Sequence, residues 1–394
     1  MNITIKKQLY ISVCFLVLTT NFFGVYQVEA QEKKGVINYI KEQFFSNTQD
    51  SSRKSSVIVV PALGYSQEKG LEYGLAGTYS FYIDKNNPDS RTSNIMASAT
   101  LTTKKQMNYK VEADIWTKDN LWHLISEIRY RDWPYDFYGI GTNTPSSTKQ
   151  LISHTLTKIS VEAERRVLKN TYLGVNTSFE HNKFNAQDES GGIYDDFDKL
   201  DLLGKHGGKF MTFGVSALYD NRDLTTYTTS GFYSRIKYAY APDIWGGENF
   251  SGSQLDVDMR YFYSPLKPLT IGTQAIFRST SGKSTPFYTF QQLGGDMMMR
   301  GYYLGRYLDK NYTALQAEAR YRFIPRLGAV AFGSVGSVFG KAEDPRVVPA
   351  AGLGLRYFYS LEHLGTLRVD FAIGEKRPGE PRQQGFYISI SEAF

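Results

Sequence analysis

Apolar and polar residues alternate along much of the chain. Between Thr313 and Phe323, the residues Thr313, Leu315, Ala317, Ala319, Tyr321 and Phe323 share one face, while Gln316, Glu318, Arg320 and Arg322 share the other. The pattern recurs with Met107, Tyr109, Val111, Ala113 and Ile115 opposed to Asn108, Lys110, Glu112 and Asp114. It returns with Leu255, Val257, Met259, Tyr261 and Tyr263 against Asp256, Asp258 and Arg260, and with Leu367, Val369, Phe371 and Ile373 against Arg368 and Asp370. A period of two predicts strands. A soluble sandwich would turn the apolar face to a core, whereas a membrane barrel turns it to lipid and lines a lumen with the charges. Run length favours the barrel. Many runs last roughly ten to thirteen residues, as a tilted membrane-crossing strand requires, against about five or six in soluble sheets.

The pattern places strands near 55–66, 71–84, 93–103, 106–117, 121–132, 151–165, 170–183, 210–221, 231–242, 253–264, 269–280, 312–323, 327–340, 350–360, 366–375 and 385–394. Sixteen is an even number, so both ends of the barrel fall on one side. Connections after even-numbered strands are mostly tight, as in Lys118-Asp119-Asn120 and Pro265-Leu266-Lys267-Pro268. Several that follow odd-numbered strands are long: 133–150, 184–209, 281–311 and 376–384. Short periplasmic turns and long outer loops mark bacterial outer-membrane barrels, so the termini are expected in the periplasm of a Gram-negative cell. Ahead of the barrel, Val36, Ile37, Ile40 and Phe44 stand at helical spacing within Lys33–Phe45, either as a short amphipathic helix or as a frayed leader. The expected organisation is therefore a signal peptide over 1–30, a helix and linker over 31–54, and an all-β, 16-stranded antiparallel barrel over 55–394.

The signal peptide rests on Lys6 and Lys7, the apolar run Leu9 to Leu18, and Val28-Glu29-Ala30 as a cleavage site. Its removal takes away Cys14, the only cysteine, and with it any disulfide or thiol chemistry. A net charge of +6 falls by one, and the basic excess forms no block or arginine-rich helix, so nucleic acid is not an expected partner. With 29 Tyr and 25 Phe and no apolar run long enough for a spanning helix, the composition suits an outer-membrane barrel in contact with lipid.

One tract breaks the alternation. Gly294 to Lys310 reads GGDMMMRGYYLGRYLDK and falls in the long loop before strand twelve. Its Arg300-Gly301-Tyr302, set between Gly294-Gly295 and Gly305-Arg306-Tyr307, resembles the Arg-Gly-aromatic loop motif of the outer-membrane assembly and translocation superfamily typified by BamA and TamA. Tyr219-Asp220-Asn221-Arg222-Asp223 with Ser230-Gly231 resembles an aromatic-Asp-x-Arg-Asp turn of that family, and 351–356 with 365–370 resembles its penultimate strands. The apolar-alternating last strand, closed by Phe394, is similar to the terminal signal that assembly machinery reads in outer-membrane proteins. Family members usually carry periplasmic POTRA modules, which this sequence does not display, so a barrel-only member is expected.

The resemblance implies that Arg300 enters the lumen and meets acids on strands twelve and thirteen. The strand-twelve acid matches Glu318, which the alternation independently turns inward. The strand-thirteen position falls at the third residue of Phe332-Gly333-Ser334-Val335-Gly336, where the chain has Ser334. The anchor is thus expected to be weaker, or to borrow Asp296 or another lumen acid; an exposed loop arginine is the alternative. Met297, Met298 and Met299 would then pack the folded-in loop against the wall, since methionine fills irregular gaps. A surface receptor contact is the other reading of the same tract.

Enzyme chemistry finds no support. His123, His154, His181, His206 and His363 lack metal-ligand spacing, and no Gly-x-Ser-x-Gly elbow occurs. Ser281-Gly282-Lys283-Ser284 ends like a phosphate loop, but Phe277 stands where the first glycine belongs. Asp195, Asp196 and Asp198 read as a weak calcium site or, more simply, a solvated acidic loop. No cofactor is expected. The resemblance implies a non-catalytic barrel that helps insert or translocate unfolded or surface-protein clients where the first strand meets the last. In that first strand Pro61 removes a ladder donor and Gly64 weakens pairing, so that Pro61, Gly64 and Phe394 mark the expected seam. An accessory subunit of a larger assembly complex, or a plugged passive channel, is the competing reading.

Overall fold

The computed structural model describes residues 53–87, 90–186, 192–194, 197–359, 361 and 364–394. The expected signal and helix lie outside the described residues, as do the linker up to Ser52, Asp195, Asp196 and His363. Sixteen strands form a closed antiparallel barrel. They are β1 (Ser56–Ser66), β2 (Gly70–Phe81), β3 (Ser93–Thr102), β4 (Met107–Trp116) and β5 (Trp122–Asp132). There follow β6 (Gln150–Leu168), β7 (Thr171–Ala186), β8 (Gly207–Asp220), β9 (Gly231–Ala241), β10 (Ser251–Leu266) and β11 (Leu269–Ser284). The last five are β12 (Asn311–Ile324), β13 (Leu327–Phe339), β14 (Val348–Phe358), β15 (Thr366–Ile373) and β16 (Gln384–Ile390). Each pairs with its neighbours in chain order, and β1 closes on β16. Ser281 to Ser284 lie on β11, so the phosphate-loop likeness belongs to a strand.

Burial inverts the pattern of a soluble protein. Along β12 the outward Leu315, Tyr321 and Phe323 are exposed, whereas the inward Gln316, Glu318 and Arg320 are buried. A lipid-facing wall around a polar interior gives this arrangement, because only a closed ladder satisfies the backbone within a bilayer. No helix among the described residues is long and apolar enough to cross a membrane.

Long connections gather at one end of the barrel and mostly short ones at the other. At the long-loop end, Trp133, Tyr135, Phe137, Ile152, Phe184 and Phe287 belong to one buried apolar cluster that caps the barrel. The loop between β11 and β12 turns inward and carries a small hairpin, Gln291–Leu293 paired with Tyr307–Asp309, where no alternation predicts a strand. Beside the hairpin, whose Gln291 reaches it, a polar cavity of about 700 Å³ is lined by Glu112, Glu127, Lys158, Glu162, Glu180 and Lys237, among others.

The wall is uneven. β6 runs for 19 residues, but β15 has 8 and β16 only 7. β1 pairs with β2 along its whole length, from Ser56 opposite Ser80 to Ser66 opposite Gly70. With β16 it shares a single register pair, Tyr65 opposite Ile388. The expected last strand, 385–394, therefore needs correction. It stops at Ile390, Ser391 takes a left-handed φ of 83°, and Glu392, Ala393 and Phe394 turn into the lumen.

Candidate functional site

Arg300 is carried into the interior by a loop of unusual backbone. Gly294, Gly295, Gly301 and Gly305 all have positive φ, as does Met299 at 54°. At Gly301 the requirement is steric as well, since a Cβ would stand 2.9 Å from the backbone carbon of Ile373. The loop tip can lie against β15 only because this residue has no side chain.

The Arg300 side chain is fully buried and bidentate. One guanidinium nitrogen donates to Glu318 on β12 and another donates to Asp370 on β15, at 2.7 Å. The guanidinium also lies 3.5 Å from the centre of the Phe332 ring on β13. Such a charge is tolerable in a low-dielectric interior only when paired and hydrogen-bonded, and the planar fork suits two carboxylates.

The second acid is thus Asp370 rather than a residue at the Ser334 position. Ser334 faces the lumen on β13, but the polar partners of Arg300 are Glu318 and Asp370. Asp296 is not borrowed for Arg300 either. It accepts from Arg368 at 3.2 Å and from the Ser389 hydroxyl at 2.8 Å. Burial alone would raise the Asp296 carboxyl, yet Lys69 and Arg368 hold it below its ordinary range.

Both of Arg300's acids serve other arginines. Glu318 also accepts from Arg320 at 2.8 Å, and Asp370 from Arg356 at 2.6 Å and Arg368 at 3.4 Å. Arg356 reaches Glu392 at 2.7 Å, and Arg320 donates to the Phe394 carbonyl at 2.8 Å. Arg300, Arg320, Arg356 and Arg368 therefore face Glu318, Asp370, Glu392 and Asp296, charge for charge. A Cβ on Gly354 would fall 1.9 Å from Asp370, so that glycine makes room for the cluster.

The methionines divide. Met298 and Met299 are buried in a cluster with Leu293, Tyr302, Tyr307, Tyr312 and Val348, but Met297 is 47% exposed. The Tyr302 hydroxyl donates to the Pro349 carbonyl at 2.8 Å and accepts from the Glu375 amide at 2.9 Å. Gly305 lets the chain turn back toward Arg306, which donates to Thr144.

At the seam, Gly64 stands beside the single register pair, and a Cβ there would approach the Ile388 carbonyl at 3.2 Å. Its small size suits the close approach of the two strands. Pro61 lies farther along β1, beyond that pair. Phe394 does not form the edge: it packs on Phe262 at 5.6 Å within the lumen, beneath Arg320.

The Omp85 superfamily domain model matches residues 74–394. Among solved structures, the chain resembles BamA from Haemophilus ducreyi lacking POTRA domains 1–3, with 14% identity, a TM-score of 0.57, and coverage of 86% of this chain and 70% of that one. It also resembles CdiB from Acinetobacter baumannii, at 14% identity and a TM-score of 0.53, covering 87% and 66% of the two chains. For CdiB from Escherichia coli the values are 13%, 0.54, 85% and 62%. The chain thus spans roughly two thirds of the length of these structures, and at such identities the likeness speaks for the fold. No curated protein sequence matches it. The family match covers nearly the whole barrel, Arg300 loop included, and the chain belongs to the Omp85 superfamily of outer-membrane β-barrels.

Proposed function

We propose that this barrel assists the insertion or translocation of outer-membrane or surface proteins by offering the free edge of β1 to a client strand. The observation that carries this reading is the seam. Among the described residues, Ile58 to Leu63 of β1 have no strand partner on the β16 side, since β16 ends at Ile390 and its continuation turns inward. Unpaired backbone groups facing hydrocarbon are costly, so such an edge favours the addition of a strand. Strand addition draws affinity from main-chain hydrogen bonds and tolerates varied side chains, which suits a handler of many sequences. In this orientation the long-loop end is outermost, and the unpaired part of β1 lies toward the periplasm, where clients arrive. The barrel acts without catalysis, on unfolded clients, in contact with outer-membrane lipid.

Depleting the protein and taking a census of outer-membrane and surface proteins tests this directly. Loss of many proteins supports a general role and loss of one a dedicated role. An unchanged census rejects the reading. The polar cavity favours one competitor, a plugged passive channel. A large single-channel conductance in the intact protein, with no change in the census on depletion, would support that alternative.

A further inference from the structure

We propose that the polar cavity in the lumen is a binding site for a small linear polyamine. Its ammonium groups would rest on Glu180 and Asp114, and its remaining N–H groups on a row of wall hydroxyls between them. The site does not depend on what enters at the seam.

The hollow follows from residue size. On β8 the inward side chains run Phe210, Thr212, Gly214, Ser216 and Leu218, so two buried apolar residues bracket three small ones. On β7 the matching run is Tyr172, Gly174, Asn176, Ser178 and Glu180. Phe210 packs with Phe250 and Tyr288 beyond one end, and Leu218 and Tyr172 pack with Trp116 beyond the other. Small residues between two aromatic layers leave the cavity of about 700 Å³, within the roughly 300–1,000 Å³ of small-molecule sites.

The wall is unsatisfied on its own. Glu112, Glu127, Ser160, Ser178 and Thr212 stand opposite one another, strand by strand, in one continuous row. Two carboxylates directly opposite repel each other, and three hydroxyls follow them. The Ser178 Oγ and the Asn176 amide nitrogen are buried without a hydrogen-bond partner among the described residues. Thr212 lines the cavity at 3% exposure, and its hydroxyl is likewise unpaired among these residues. Buried polar groups normally find partners, so this row is set for one from outside the chain.

Charge selects a cation. Six carboxylates line the cavity, against Lys158, Lys237 and Arg278. The basic groups are also unevenly shared. Glu127 takes both Arg129 and Lys158, and Glu162 takes both Arg235 and Lys237. Lys158 is opposite Glu180 in register but reaches Glu127 instead, and Glu180 makes no salt bridge among the described residues. Asp114 has only the His123 imidazole, at 3.1 Å. From Asp114 the register leads through Ile125 and Glu162 to Asn176, four residues from Glu180. The two under-used acids thus lie about 13 Å apart along the strand direction, with the hydroxyl row halfway between. Ammonium groups are donors only, as carboxylates and unpaired hydroxyl oxygens require, whereas an anion would be repelled.

The test is calorimetric titration of spermidine into the purified chain in nanodiscs of zwitterionic lipid. Binding should saturate at one site. Glu180→Gln keeps the shape and removes the charge, so affinity should fall about tenfold to a hundredfold, as for one lost charge-assisted contact. Thr212→Val keeps the shape and removes the hydroxyl, and should weaken binding severalfold. Glu343→Gln, on an exposed loop, should bind as the parent does. A diol of similar length, 1,8-octanediol, should not compete. Retained heat-modifiable migration on a gel shows that the variants remain folded barrels. Absence of saturable binding in the parent overturns the proposal, as does a folded Glu180→Gln that binds as tightly as the parent. Equal competition by the diol overturns it as well, because charge would then play no part.

Discussion

Replacing Arg300 by alanine removes the side chain on which the inward loop is anchored. The structure sets the size of the effect. Arg300 gives one charge-assisted contact to Glu318 and another to Asp370, all three groups lacking solvent exposure, and lies over Phe332. Breaking a buried pair by removing one partner costs about 3–5 kcal/mol, chiefly because the remaining charge is left uncompensated. The partners left behind are not isolated, since Glu318 keeps Arg320 and Asp370 keeps Arg356 and Arg368. That sharing pulls the expectation toward the lower end, about 3 kcal/mol by the same reasoning. Arg300→Lys retains the charge but loses the fork, and should fall between parent and alanine. The assay is urea unfolding of the barrel in lipid vesicles, followed by tryptophan fluorescence and heat-modifiable migration. Glu318→Ala takes a carboxylate partner from both Arg300 and Arg320, so it should cost at least as much. The double variant should be less damaging than the sum of the singles by about 0.5–3 kcal/mol, the range for residues in one network. Strict additivity, or an Arg300→Ala loss below about 0.5 kcal/mol, a value ordinary for surface sites, would show that the loop is not anchored as described.

Three further outcomes follow from the same geometry. Gly301→Ala should undock the loop, because φ is 107° and the new Cβ would meet the Ile373 backbone; trypsin should then cut after Arg300 or Arg306, which the parent protects, and continued protection would refute the fit. Met299→Ala should cost about 2–4 kcal/mol by the usual large-to-small penalty, against under about 1 kcal/mol for the half-exposed Met297→Ala, both read by urea unfolding. Burial pushes the Glu68 carboxyl above its ordinary value of 4.5, so its charged form weakens the fold. The stabilising proton is bound fully below the ordinary value and lost as pH rises through the raised one. Glu68→Gln keeps the acceptor without the charge, so it should stabilise the barrel near pH 8 and lose that advantage as pH falls toward 4.5. A constant difference across that range would refute the assignment.

Strand number and facing were legible because lipid and lumen impose opposite chemistry on alternate residues. Each strand therefore carries its own facing, and alternation alone turns Glu318 inward. Asp370 had the same parity, but alternation cannot say which inward residues meet across a lumen. Its meeting with Arg300 depends on the depth at which the loop tip lies, between β12 and β15. Ser334 illustrates the converse: a position matched by resemblance lost its role because an acid two strands away supplied the charge. Phe394 misled through continuity, since Phe386, Ile388 and Ile390 keep the alternation up to the point where Ser391 turns the chain inward. Arg320, Arg356 and Phe262 receive the turned segment, and they are remote in sequence. The small hairpin in the inward loop has no signature in the sequence because three-residue strands leave no periodicity to read.

The most direct test of the proposed function is to staple the seam in living cells. Tyr65→Cys with Ile388→Cys joins the one register pair of β1 and β16. If clients enter through that seam, cells that depend on the oxidised form should lose the outer-membrane or surface proteins lost on depletion, and reduction should restore them. Normal levels of those proteins with the staple fully formed would contradict entry through the seam.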